Sequence, residues 1–226
     1  MKTPFLWLAA GLVALAPLSS LAQVHMQWGV CGGLSLFHES IHYSDLDGTV
    51  DIVSEKRTGF TAGIVFDLCI LNIIAIEPGI VYSQRGGQFS VQETQIPSGG
   101  DQLVLTGNSI LDKHKLDFLA IPVHARMLWP GLPIVKPYAL AGINLAFLLS
   151  AKEEFASASN DISSKINSTA FALDFGAGCE FQLPVIVPFI EYVYNLGMTN
   201  LNKNPVGDAS QKTSGSEIKA GLRFKF

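Results

Sequence analysis

An eight-stranded, antiparallel, up-and-down β-barrel that crosses a membrane is the all-β fold this sequence predicts, and three observations predict it. The last ten residues alternate strictly: Glu217, Lys219, Gly221, Arg223 and Lys225 interleave with Ile218, Ala220, Leu222, Phe224 and Phe226. Period-two patterning of this kind is a strand with one apolar and one polar face. Composition is the second observation. Hydrophobic residues make up 48% of the chain and charged residues only 15%, where soluble domains typically carry about 25% charge, and the mean hydropathy is +0.33. A strand-rich chain with that excess of apolar side chains needs an apolar environment outside its core. The third observation is the rhythm of the connections between strands, long and short in alternation, which is the meander of a barrel with short turns on one side of a membrane and longer loops on the other.

The elements follow in order. Lys2, the apolar run Phe5 to Leu15 and the small-residue site Ser20-Leu21-Ala22 read as a secretory signal over residues 1–22, leaving residues 23–226 as one barrel domain. No Cys follows the expected cut, so a lipid anchor is not expected. No later apolar run is long and uninterrupted enough for a spanning helix; 134–151 is broken by Lys136, Pro137 and Asn144. Eight strand-like segments are expected at about 26–36, 58–68, 73–88, 115–128, 134–150, 169–182, 187–198 and 216–226. Long polar links (37–57, 89–114, 151–168, 199–215) alternate with short ones at 69–72, 129–133 and 184–185. An even strand count then puts both termini on the periplasmic side.

Alternation alone leaves the inward face open, since a soluble lipocalin-like barrel also alternates, with its apolar side inside. Two features favour a polar lumen. Residues 171–181 place Phe171, Leu173, Phe175, Ala177, Cys179 and Phe181 on one face, and Ala172, Asp174, Gly176, Gly178 and Glu180 on the other. Glycines beside charges suit an interior of about eight strands, just wide enough to be filled by side chains. Aromatics also gather near expected strand ends: Trp28, Trp129, Phe181 and Phe226 at one rim, Phe60, Tyr82, Phe147, Phe171 and Tyr194 at the other. Two belts are the pattern of interfacial girdles.

The blocks "KLDFLAIPVHARMLW", "VKPYALAGINLAFLLSAKEE", "FALDFGAGCEFQLP" with "VPFIEYVYNLGMTNL", and the terminal "GSEIKAGLRFKF" resemble the outer-membrane β-barrel domain proteins often labelled porin-family or PorT-like. The resemblance covers most of the chain from about the third strand onward. It implies an integral outer-membrane location, outer-membrane lipid and the barrel-assembly machinery as partners, and no shared catalytic residues. A final strand closing on Phe226, with Leu222 and Phe224 on the same face, is how such barrels present themselves for insertion. Deleting Phe226 is therefore expected to impair assembly more than Phe37→Ala does.

Taking the polar parity as lumen-facing, Glu77, Arg85, His124, Arg126, Lys136, Asp174, Glu180, Glu191, Lys219, Arg223 and Lys225 point inward. Both signs are present in similar number, and confined opposite charges pair because an unpaired desolvated ion costs several kcal/mol. The expectation is a lumen plugged by ion pairs. The alternative is a narrow hydrated channel in which Arg126, Lys136 and Arg223 set a weak anion preference.

Other chemistry finds little support. His38-Glu39-Ser40-Ile41-His42 matches the HExxH zinc pattern, but that chemistry needs a helix. In an extended segment the two histidines stand roughly 13 Å apart, too far to share a metal. Neither a metal nor a cofactor is expected. A lipid-modifying enzyme at the rim would need a nucleophile and base in reach; Ser40, His42, Asp45 and His114 are polar loop residues without evident convergence. Net charge is -4 with dispersed Lys and Arg, so nucleic acid is not an expected partner. Cys31, Cys69 and Cys179 are an odd, widely spaced set that reads as small apolar strand residues, with one pair left open. The long link around Leu103 to Leu105 suggests two strands that run past the membrane and pair there, offering edges to an extracellular ligand or protein not identified by the sequence.

Overall fold

The period-two segments become strands that close into a ring. The computed structural model describes residues 24–45, 48–70, 73–95, 104–129, 133–155, 158–203 and 209–225. The expected signal segment and Phe226 lie outside them. The described residues form β1 (Val24–Asp45), β2 (Gly48–Val53), β3 (Glu55–Ile70), β4 (Ile74–Arg85), β5 (Gly87–Gln95), β6 (Val104–Leu128), β7 (Val135–Phe155), β8 (Ala158–Asp161), β9 (Thr169–Phe181), β10 (Ile186–Gly197) and β11 (Ser210–Lys225). Eight of these are staves, paired antiparallel in the order β1, β3, β4, β6, β7, β9, β10, β11. The ring shuts where β11 returns to β1, from Gln27 opposite Lys225 to His42 opposite Ser210. Closure satisfies every stave on both edges, which is what allows strands to sit in lipid.

The staves coincide with the eight expected segments, but the long links are not loops. The 37–57 link holds the rest of β1, all of β2 and the start of β3, with β1 and β2 paired from Ser40–Val53 to Asp45–Gly48. The 89–114 link holds most of β5 and the first part of β6, paired from Gln88–Lys113 to Gln95–Val104 with a bulge near Gln92. This is the expected ribbon; the described side chains do not include the Leu103 to Leu105 patch. In the 151–168 link β8 folds back on β7. Beyond the apolar band the outward face no longer meets lipid, so strict alternation of polarity is lost, yet backbone pairing continues to reward extension. The end that carries these three hairpins is the extended end; the short turns, Val24 and Lys225 mark the terminal end.

Gly86 is the hinge between β4 and β5. Its φ is 130°, a region that side-chain-bearing residues rarely enter, and an added Cβ would overlap the His114 carbonyl oxygen on β6. Gly86→Ala is expected to destabilise the folded barrel by about 1–3 kcal/mol, read as a lower urea midpoint in detergent or vesicles.

The outward parity is apolar all round the ring. Val30, Leu34, Ile64, Ile80, Ile143, Phe175, Ile190 and Ile218 are all well exposed. That is the reverse of a lipocalin-like barrel, because the apolar face looks out and the polar face in. On β6 and the residue just past it, the outward side chains from Leu119 to Trp129 cover about 33 Å of chain, or about 25 Å of height at a tilt of about 40°, matching the apolar band of a membrane barrel.

Candidate functional site

The inward parity builds a stack of polar layers across the lumen. Nearest the terminal end, Arg126 (β6) and Arg223 (β11) stand among Asp67 (β3), Glu77 (β4) and Glu180 (β9), all buried. Arg126 pairs with Asp67, with Glu180 at 3.1 Å and with Glu77 at 3.5 Å. Arg223 pairs with Glu77 at 2.5 Å, Glu180 at 3.3 Å and Asp67 at 3.7 Å. The guanidinium of Arg126 also lies 4.6 Å from the centre of the Tyr138 ring, and that of Arg223 3.7 Å from Phe189, so each cation is held by charge and by a π face.

One step inward, Lys219 meets Glu191 at 3.1 Å and Glu217 at 3.6 Å. Ser83 donates to Glu217 at 2.7 Å, and the Tyr138 hydroxyl donates to Glu191 at 2.9 Å. Gly178 makes that reach possible, since a Cβ there would overlap the Tyr138 ring. Asp174 accepts from Asn144 and Asn195 and lies 2.9 Å from His124 Nε2.

Three of the sequence-predicted lumen residues stand apart from the ion-pair layers among the described residues. Arg85 is fully buried but joins no ion pair among the described residues; its guanidinium lies 5.1 Å from the Phe37 ring and 5.2 Å from Phe118. Lys136 is only half-buried and lines a cavity of about 170 Å3 at the terminal end, with Asp67, Arg126 and Glu180. Lys225, on the same rim, donates to the Leu183 carbonyl at 2.8 Å. Asp67 and Glu217 sit on the polar parity of their strands yet are missing from the sequence-predicted set; strict counting through "VFDLCI" and "GSEIKAG" would have found both. Phe37 is likewise no neutral reference for Phe226, because it is fully buried beneath Arg85.

Around Arg85 the lumen turns apolar. Leu116, Phe118, Ala120, Ala146, Ala151 and Ala170 pack with Ile162, Ile166 and Leu201, which come from connections expected to be polar links. Those connections are tied together: Asn167 donates to the Asn200 carbonyl at 2.7 Å, and the Lys203 amide to the Lys165 carbonyl at 3.0 Å.

At the extended end the wall of β1 reaches across to β6. The Glu39 side chain is fully buried, its Oε2 2.9 Å from His114 Nδ1 and 2.7 Å from Gln211 Nε2. Burial opposes a charge on His114, but Glu39, Asp112 and Glu153 together outweigh it and raise its pKa above the ordinary histidine value. Burial also raises the Asp112 carboxyl. β1 is continuous through residues 38–42, so the HExxH stretch is strand. His42 lies on its exposed outward parity, while His114 faces inward to Glu39.

Outside, the described residues of the expected girdles and insertion signal lie on the lipid-facing parity; Phe226 lies outside the described residues. Trp28 is opposite both Phe66 and Phe224 in register, with 4.9 Å between the Trp28 and Phe224 rings, and Leu222 follows on the same face. Trp129 and Phe181 are exposed at the same end. Tyr82, 5.2 Å from Phe60, and Tyr194 lie toward the other. Cys31, Cys69 and Cys179 are all free thiols, so no pair is bridged.

Among curated proteins none matches this chain. Among solved structures it is similar to Neisserial surface protein A, at 17% identity over 91% of this chain and 99% of that one with a TM-score of 0.44. It is also similar to Ail of Yersinia pestis, at 17% over 88% and 98% with a TM-score of 0.38, and to OprG of Pseudomonas aeruginosa, at 13% over 88% and 95% with a TM-score of 0.46. A family model described as an outer membrane protein β-barrel domain matches residues 21–201. With most of its length covered by that match and its staves closed in a ring, the chain belongs to the outer membrane protein β-barrel domain family.

Proposed function

We propose that this chain is an integral outer-membrane barrel, termini toward the periplasm, whose lumen is closed by its own side chains and whose structural or binding role is carried by the extended end. The observation that supports this best is the buried ionic layer of Asp67, Glu77, Arg126, Glu180 and Arg223. Five charges contributed by β3, β4, β6, β9 and β11 bond to one another across the barrel axis, so a solute would have to break several charge-assisted bonds to pass. The apolar packing around Leu116 and Phe118 adds a second obstruction. Function would then reside where the strands outrun the membrane, on the β5–β6 ribbon and the β1–β2 hairpin.

Single-channel recording of the purified chain in planar bilayers tests this reading. A flat baseline is expected. Regular unitary openings would overturn it in favour of a narrow channel for small solutes. Against a channel with anion preference, Arg126 and Arg223 each face carboxylates within 4 Å, which cancels the positive field they would need to supply. A rim-located enzyme has less support, since Ser40 and His42 lie on the outward parity of β1 and His114 is engaged by Glu39 across the lumen.

A further inference from the structure

We propose that the extended end holds a divalent transition-metal site in which His114, Asp112 and Glu153 are the ligands and Glu39 positions the histidine. His114 and Asp112 follow each other on the inward parity of β6, and Glu153 is the register partner of His114 on β7. One donor atom from each lies within 4.8 Å of the other two. Nε2 of His114 stands 3.9 Å from Asp112 Oδ2 and 3.7 Å from Glu153 Oε1. Both separations are too long for a hydrogen bond. They are close to the spacing of neighbouring ligands on one ion, since donors about 2.1 Å from zinc stand roughly 3.4 Å apart at the tetrahedral angle.

The other side of the imidazole supplies an independent observation. Glu39, fully buried, takes His114 Nδ1 at 2.9 Å. A carboxylate there accepts, so Nδ1 keeps its proton, and it is Nε2, facing the two carboxylates, that is left to take a metal. A proton on Nε2 or a metal ion placed there turns repulsion between the Nε2 lone pair and the two carboxylates into attraction, and proton and metal compete for the same position. A carboxylate behind a histidine is the arrangement that fixes tautomer and ring orientation in metal sites. The Phe89 ring, 5.3 Å away and edge-on, holds the imidazole from the side. Asp112 Oδ1 and Glu39 Oε1 are both buried without a hydrogen-bond partner, and no Lys or Arg among the described residues pairs with Glu39, Asp112 or Glu153. One imidazole nitrogen with two carboxylate oxygens suits zinc, cobalt or nickel better than calcium, which prefers oxygen alone.

Calorimetric titration of the folded full chain in detergent with Zn2+ tests the site, a heat-modifiable gel shift showing that each variant is folded. One saturable equivalent is expected, with Ca2+ weaker. His114→Ala should abolish it, Glu153→Gln should weaken it, and the double change His38→Ala with His42→Ala should leave it intact. Glu39→Gln should keep the stoichiometry and lower the affinity by about 10–100-fold. No saturable Zn2+ binding, tighter Ca2+ than Zn2+ binding, binding that survives His114→Ala, or binding lost with His38 and His42 would each overturn the proposal.

Discussion

Arg126→Ala is expected to cost about 3–5 kcal/mol of barrel stability, the range for removing one partner from a buried ion pair. Arg126 is 1% exposed and engages Asp67, Glu77 and Glu180 together. Without it, Arg223 alone faces three carboxylates, and Asp67 loses its nearest cation while staying buried. Two of those charges have no water to return to, so the cost is that of stranded ions rather than of a lost contact. Urea titration of tryptophan fluorescence in lipid vesicles measures it. The second arm of the experiment is Asp67→Asn on the Arg126→Ala background, which is expected to restore part of the loss, because it removes one of the stranded charges; coupling between touching groups runs to about 0.5–3 kcal/mol. A cost below about 1 kcal/mol would mean that water reaches this layer and screens it as it screens surface pairs, and would count against a closed lumen.

Phe175→Lys should be nearly as damaging from the opposite side of the wall, at about 2–4 kcal/mol. Phe175 is 48% exposed on the outward parity of β9, midway between Phe171 and Phe181, and its register neighbours are Ala141 and Tyr194. The only polar atom its register neighbours offer is the Tyr194 hydroxyl, so a lysine there must hold its ammonium within the apolar band. Val53→Lys is the matched comparison. Val53 is 64% exposed on β2, beyond the band, so the same charge there should change stability by no more than about 0.5 kcal/mol. Similar costs at the two positions would mean that the apolar band has been drawn at the wrong height.

Much of this was legible because lipid and lumen impose opposite polarity at every step along a stave. Thr169 to Phe181 reads correctly from its letters alone: Phe, Leu and Phe outward, Asp, Gly, Gly and Glu inward. The same rule covers Asp67 and Glu217 when it is applied at every position. Where it stops applying, the reading fails. Past the band the outward side no longer meets lipid, as on β8, whose four residues are all exposed, so the letters of β2, β5 and β8 leave no sustained alternating signature and read as loops. Ile162 and Leu201 sit in connections that look polar and yet turn inward, because the barrel mouth offers apolar surface to cover.

Residue identity also left the partner of each inward charge open. Arg85 carries the same charge and parity as Arg126, but its level in the barrel brings it Phe37 and Phe118 instead of carboxylates. Glu39 was visible only as the middle of an HExxH stretch, and His114 only as the end of a link. They meet across 75 residues of sequence because ring closure brings β1 and β6 to facing walls.

The sequence by itself determined the staves, their count, the direction side chains face within the apolar band and the membrane setting, since these depend on period-two polarity against two fixed environments. Only the tertiary structure decided which charge meets which, what closes the lumen, and that Glu39, His114, Asp112 and Glu153 converge. Those depend on the register and shear with which distant strands close a ring, and local polarity carries no record of either.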